Sequence, residues 1–199
     1  MTKRSRGRLV IISGPSGAGK SSVLQRLFDR CELPLKMSVS ATTRSPRPGE
    51  VDGRDYFFLT PERFAALREA GEFLETKEVF GRGDWYGTLR QQVTSGLEQG
   101  FWVILEIDVE GARAVLEQDL DPITIFLHPG SAAELERRLR TRGTESEADI
   151  AARLRTAAAE MEAAARYDHS IINDSVGRAA DEVCQILRGY QEPSECSKN

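Results

Sequence analysis

Four short, nearly uninterrupted apolar runs punctuate the chain: Leu9–Ser13, Phe101–Ile107, Ile123–Leu127 and Ser170–Ile172. Runs of this length without polar alternation predict strands buried on both faces. Between or after them, Ser21–Asp29, Leu89–Gln99, Gly111–Gln118, Ala132–Thr141 and Ala179–Gly189 carry apolar residues at helical spacing. Strands alternating with helices predict an α/β fold, a parallel sheet flanked by helices. Two stretches break the alternation. Lys36–Thr88 holds Pro46, Pro48, Pro61 and many glycines, with β-like pieces at Tyr56–Leu59 and Glu72–Glu75. It predicts a small mixed β lobe inserted into the core. Pro129–Asp168 is helical, rich in alanine and arginine, and poor in large apolar residues after Leu154. So weak an apolar face suits a mobile helical lid. The expected organisation is one domain over 8–190, with core segments 8–35, 89–128 and 169–190, a lobe at 36–88 and a lid at 129–168. The ends, 1–7 and 191–199, read as flexible.

Composition narrows the class without naming a function. The chain has 199 residues and a formal net charge of −4. A domain that binds nucleic acid through its overall field would be basic, so no nucleic-acid partner is expected. No apolar stretch approaches a membrane span, and the basic start, Met1 to Arg8, lacks the apolar segment of a signal peptide. Cys31, Cys184 and Cys196 show neither metal-ligand spacing nor a disulfide framework, which reads as thiols in a reducing cytoplasm. His128 and His169 stand singly at the ends of apolar runs and read as structural.

The sharpest chemical signal is Gly14-Pro15-Ser16-Gly17-Ala18-Gly19-Lys20-Ser21. It is a complete phosphate-binding loop between a strand and a helix, the context such a loop requires. Its backbone N–H groups would wrap a polyphosphate, Lys20 would reach the β- and γ-phosphates, and the Ser21 hydroxyl would ligate Mg²⁺. The run Phe101–Asp108 ends in Glu106 and Asp108. Ligands of open α/β sheets bind beyond the carboxyl ends of strands, so an acid there reads as a Mg²⁺ partner; the plainer alternative is a cap for the next helix. Arg44 and Arg47 lie in a proline-stiffened loop, and arginine forks suit phosphate. Arg137, Arg138, Arg140, Arg142 and Arg153 form a second basic cluster, ordinarily no more than a solvated helix face.

Taken together, these motifs resemble the bacterial guanylate kinases from Leu9 to about Tyr190. The marks are the glycine loop, Ser38–Phe58 (SVSATTRSPRPGEVDGRDYFF), Glu72–Glu75 (EFLE), Trp85–Thr88 (WYGT), Leu105–Asp108 (LEID), Arg142–Thr144 (RGT) and Ile172–Asp174 (IND). The resemblance implies a P-loop NTPase-type core carrying a GMP-binding lobe and a lid. It also implies that Arg44, Arg47, Tyr56 and Tyr86 hold the GMP phosphate. Glu75 would accept hydrogen bonds from guanine N1 and N2, with Ser40, Thr88 and Asp108 completing base recognition. Gly14–Ser21 would hold ATP, with Asn173 near the adenine. Lys20, Arg44, Arg138, Arg142 and Arg153 would act on the transferred phosphate. Mg²⁺ would sit at Ser21 and at Glu106, directly or through a water. The implied partners are GMP and ATP, with monomer and homodimer both open. Trp85 and the longer turn Gly81–Asp84 depart from the usual pattern.

Three rival classes fit the sequence less well. A regulatory GTPase would need an N-K-x-D motif, yet the asparagines, Asn173 and Asn199, are not followed by lysine. A non-catalytic binding module would not need an intact phosphate loop. A kinase for a ribose bisphosphate would not need Ser40, Glu75 and Thr88.

Overall fold

The structure, a computed structural model, describes residues 7–79, 83–142 and 146–191, with Arg142 described in its backbone alone. The elements run β1 (Leu9–Ser13), α1 (Lys20–Arg30), β2 (Leu35–Met37), β3 (Ala41–Thr42), β4 (Phe57–Phe58), α2 (Pro61–Glu69), β5 (Phe73–Val79) and β6 (Asp84–Leu89). They continue with α3 (Arg90–Glu98), β7 (Trp102–Glu106), α4 (Val109–Leu116), β8 (Ile123–His128), α5 (Ala132–Arg142), α6 (Glu147–Met161), a 3₁₀ turn at Glu162–Arg166, β9 (His169–Ile172) and α7 (Val176–Gly189).

A five-stranded sheet has the order β2-β7-β1-β8-β9. Its pairs β1–β7, β2–β7 and β8–β9 are parallel. Every residue of β1 is buried, and β7 is buried up to Glu106, which is why these strands read as unbroken apolar runs. The second sheet, β4-β3-β6-β5, is mixed: β3 pairs parallel with β4 and antiparallel with β6, and β5 pairs antiparallel with β6. The α/β class expected from the alternation is the observed one.

Sequence reading missed β2, β3, β6 and α2. The first two are only two or three residues long, too short for any periodicity to register. In α2 the buried side chain is Phe64 alone, so it has almost no apolar stripe. Its signal was the start instead: Thr60 accepts a hydrogen bond from Arg63 N, and Pro61 follows at the first helical position.

Contacts divide the chain into two compact units. One joins the stretch ending at Gly14 with Pro34–Thr124; the other joins Pro15–Leu33 with the stretch from Ile125 onward. In the first, Ala41, Phe64 and Phe73 form a small core with Phe57, Leu59, Trp85 and Leu89 against it. Phe64 and Phe73 stack with ring centroids 4.5 Å apart. In the second, Leu135, Leu139, Ile150 and Ala157 tie α5 to α6. A capping box between Ser146 and Asp149 starts α6.

One expectation is overturned. Cys31 and Cys184 form a disulfide with Cα atoms 5.8 Å apart. Cys31 caps the C-terminus of α1, and Cys184 lies on the buried face of α7. These two helices pack together. With the cysteines separated by 153 positions in sequence, no local spacing announces the pair. Cross-linking a loop this long stabilises by about 2–4 kcal/mol. For a protein of this size that is a Tm shift of about 5–15 °C. Adding reductant to the oxidised protein should lower Tm by this amount; a Tm that does not move contradicts the cross-link. Cys196 lies outside the described residues.

Candidate active site

Each unit carries its own group of the residues singled out in the sequence. In the second, the residues after β1 wind into the start of α1. Gly19 caps α1 with φ 86°, and a Cβ on it would meet Asn173 Nδ2 at 2.6 Å. Both the left-handed backbone and the close approach demand glycine. The loop is held from within: Ala18 N donates to Pro15 O at 3.1 Å, and Lys20 Nζ donates to the same oxygen at 3.1 Å. It is also held from outside, because Ala18 O accepts from Asn173 Nδ2 at 2.7 Å and Arg138 Nη1 at 3.3 Å. Gly17, Gly19, Ser22, Arg138, Thr141 and Asn173 line a pocket here. Asn173 is buried, and its Oδ1 has no hydrogen-bond partner among the described residues. A buried acceptor in this state awaits a donor.

The basic cluster separates by partner. Arg137 is paired with Glu134, and Arg140 with Glu136 and Glu147. Arg138 donates to Glu134 at 2.7 Å and reaches past it to Asn173 O at 2.5 Å. It is the arginine of α5 whose guanidinium contacts the phosphate loop among the described side chains. Hydrogen bonds from Arg137 and Arg138 pull the Glu134 carboxyl down to about 2. Arg153 is half-buried on α6. The side chain of Arg142, with Gly143 and Thr144, falls outside the described residues, as do Gly81 and Arg82.

The first unit carries the other group on its mixed sheet. A register shift between Phe73 and Glu75 breaks the pairing of β5 with β6. Bulges of this kind re-aim side chains. Phe73 packs in the small core, whereas Glu75 faces a pocket lined also by Ser40, Tyr56, Tyr86, Glu106 and Asp108. The pocket holds about 230 Å³. Thr88 lies opposite Glu75 in register and donates its hydroxyl to Glu75 Oε1 at 2.6 Å. A Cβ on Gly87 would sit 2.8 Å from the Phe73 ring and 2.9 Å from Glu75 O, so this strand position admits no side chain.

At one side of this pocket Arg44 is fixed by several partners. Its Nε donates to Tyr86 Oη at 3.1 Å, and its two Nη groups fork onto Glu50 at 3.0 and 2.9 Å. Its guanidinium carbon lies 5.4 Å from the centre of the Tyr56 ring. Glu50 also accepts from Arg47 N at 2.7 Å, which braces the proline loop; the Arg47 side chain is exposed. The Arg44 hydrogen bonds hold the Glu50 carboxyl below its usual range, and burial pushes the Tyr56 phenol up. Asp108 has two duties: it lines the pocket, and it caps α4 by accepting from Gly111 N at 2.8 Å. The plainer reading of this residue was therefore correct as far as it went. His169 bonds Tyr190 and His128 accepts from Gly130 N, both local contacts.

Sequence reasoning passed over Glu50 and Lys77. Glu50 sat inside a quoted motif without a role. Lys77 had one available signal, its two-residue spacing from Glu75, which puts both on one face of a strand.

Burial, above all, lifts the Glu75 carboxyl above its ordinary 4.5; the Thr88 hydroxyl opposes this and the Asp108 charge adds to it. The sign of the stability effect follows. A carboxyl raised in the folded state costs stability above its folded pKa and nothing below its unfolded one. Glu75→Gln removes that cost, so the variant should melt higher than wild type at pH 8. The gain should fade as pH falls through the folded pKa towards 4.5. A gain that grows on acidification would contradict this.

Of the residues expected to meet Mg²⁺, Ser21 lies in the first turn of α1 and Glu106 at the end of β7. Among the described residues no cluster of three or more His, Cys, Asp or Glu side chains could hold a metal. Hard oxygen donors from one or two side chains suit Mg²⁺, which takes its remaining ligands from phosphates and water.

A parallel sheet whose strand β1 feeds a glycine loop, a lysine and a helix defines a phosphate-loop nucleotide-binding protein. The family model for guanylate kinase matches residues 6–190. A guanylate kinase from Rhodopirellula baltica is 61% identical over 194 residues, covering 97% of this chain and 93% of that protein. One from Rubrobacter xylanophilus is 46% identical, covering 92% and 94%. The crystal structure of guanylate kinase from Anaplasma phagocytophilum is similar with a TM-score of 0.74 at 34% identity, over 96% of this chain and 89% of that one. The chain belongs to the guanylate kinase family.

Proposed function

We propose that this protein transfers the γ-phosphoryl group of ATP to GMP, and to dGMP, giving GDP and ADP. The observation that carries the reading is the mixed-sheet pocket. A half-buried carboxylate, Glu75, faces the same cavity as Tyr56 and Tyr86, the rings that flank the fixed guanidinium of Arg44. One end is built to accept two N–H donors and the other to hold a phosphate.

In this reading residues 36–88 are the GMP-binding lobe and 129–168 the lid. Ser40, Glu75, Thr88 and Asp108 read the base, and Arg44, Arg47, Tyr56 and Tyr86 hold the acceptor phosphate. The loop from Gly14 to Ser21 cradles ATP, and the orphaned acceptor of Asn173 serves the adenine amino group. Lys20, Arg138, Arg142 and Arg153 neutralise the phosphoryl group in flight. Ser21 and Glu106 would hold Mg²⁺, which would supply further charge neutralisation. A phosphate monoester has its second pKa near ~6 and is already largely dianionic at neutral pH. The acceptor needs no general base; alignment and charge neutralisation do the work. The proposed setting is purine nucleotide metabolism in the cytoplasm. No helix among the described residues is long and apolar enough to cross a membrane. A reducing compartment would hold Cys31 and Cys184 as thiols.

Arg44 gives the test. Hydrogen bonds to charged groups are worth roughly 1.5–3 kcal/mol. Arg44→Ala should therefore lower kcat/KM for GMP at least ~10-fold while the KM for ATP stays nearly constant. An equal loss for both substrates would refute the assignment of this pocket to GMP.

A further inference from the structure

The strand face that carries Glu75 also carries a side chain with no part in the reading above. Lys77 follows Glu75 by two residues and lies opposite Tyr86 in register. Among the described residues lining the pocket it is the one lysine or arginine, against Glu75, Glu106 and Asp108. Its Nζ donates to Asp108 Oδ2 at 2.5 Å and lies 2.8 Å from Glu110 Oε2. The other Asp108 oxygen, Oδ1, takes the N–H of Gly111. Asp108 is thus held at both oxygens, by a helix start and by a lysine from another element.

The crowding explains why such a clamp matters. A Cβ on Gly111 would lie 3.3 Å from Glu75 Oε2 and 3.5 Å from Asp108 Oδ1. Two carboxylates therefore flank one glycine, and like charges so close repel. Glu106 adds a third acid to the lining, and a nucleoside monophosphate would bring up to two more negative charges. Fully exposed ion pairs contribute little. Lys77 and Asp108 are only 36% and 32% exposed, so their interaction is less screened than a surface pair. Burial alone would lower the Lys77 pKa, yet the hydrogen bonds to Asp108 and Glu110 raise it, so the ammonium stays charged.

We propose that Lys77 is a positioning residue of the nucleotide pocket, clamping Asp108 against the start of α4 and offsetting the pocket's negative charge so that an anionic purine nucleotide is admitted. This rests on the reading that the pocket takes GMP. Without Lys77 the Asp108 carboxylate loses one anchor, and the acids lining the pocket, Glu75, Glu106 and Asp108, lose the one cation among the described lining residues.

The experiment compares wild type with Lys77→Met and Lys77→Arg by ADP production at saturating ATP, and by calorimetric GMP binding without ATP. Lys77→Met should raise the KM and Kd for GMP about tenfold, with kcat and the KM for ATP within about twofold. The difference from wild type should shrink as salt is raised. Lys77→Arg should recover most of the lost affinity, since it restores the charge. A variant with unchanged GMP affinity, or one in which kcat and both KM values worsen alike, overturns the proposal. Active wild type with an unaffected Lys77→Met refutes this inference alone; wild type inactive on GMP overturns the GMP reading and this inference together.

Discussion

Lys20→Met should lower phosphoryl transfer by about a hundredfold or more while the protein stays folded. Removing a single preorganised donor from a developing charge costs ~10²–10³ in kcat, and Lys20 carries a full charge. Its side chain is not part of the buried core. Its Nζ supplies one bond of the loop, to Pro15 O, while the others run through Ala18, Pro15, Asn173 and Arg138, so most of the loop's geometry survives the substitution. Circular dichroism and Tm should therefore match wild type. Turnover above about a tenth of wild type would remove Lys20 from the role assigned to it.

Glu75→Gln should selectively weaken GMP and collapse the preference for GMP over AMP. An ionised carboxylate only accepts hydrogen bonds. Guanine offers it two adjacent donors, N1–H and the N2 amino group. Adenine offers a lone pair at N1 and a C2–H at the matching edge, so the carboxylate would be left without partners in a half-buried site. Pockets built around such pairing reject the mismatched analogue by ~10⁴-fold or more. The amide of glutamine keeps one acceptor and turns a donor towards the other guanine N–H. Thr88 donates to Oε1 and fixes which carboxylate oxygen remains for the base, so the variant cannot simply rotate to repair the loss. An unchanged ratio of kcat/KM for GMP and AMP would take Glu75 out of base reading. The higher melting temperature expected for the same variant above the folded pKa of Glu75 separates the functional loss from damage to the fold.

How much of this was legible depended on length scale. The strands β1, β7 and β8 could be read because burial on both faces leaves an unbroken apolar run, whereas β9 was read from Ser170–Ile172 although only Ile171 is buried there. The phosphate loop was legible because its chemistry is local and contiguous. β2 and β3 were invisible because two or three residues carry no period. The disulfide was invisible because its partners lie at opposite ends of the chain. The arginine cluster was legible only as a cluster. Sequence gave no means to separate Arg138, which reaches Ala18 and Asn173, from Arg137 and Arg140, whose charges end on Glu134, Glu136 and Glu147. Glu75 was singled out by resemblance, but the physical device that aims it into the pocket is the register shift after Phe73. Asp108 shows why two readings need not compete, since one carboxylate caps α4 through Oδ1 and also lines the pocket.

Phosphorylation of GMP from ATP is the activity on which every other assignment depends. Its most direct test is ADP production by the purified full chain with ATP and Mg²⁺, taking GMP, dGMP, AMP or a ribose bisphosphate as acceptor in turn. ADP should form rapidly with GMP and dGMP, with a kcat/KM for AMP lower by ~10⁴-fold and no turnover of the ribose bisphosphate. Comparable rates with AMP, a preference for the ribose bisphosphate, or no ADP formation with any acceptor would contradict it.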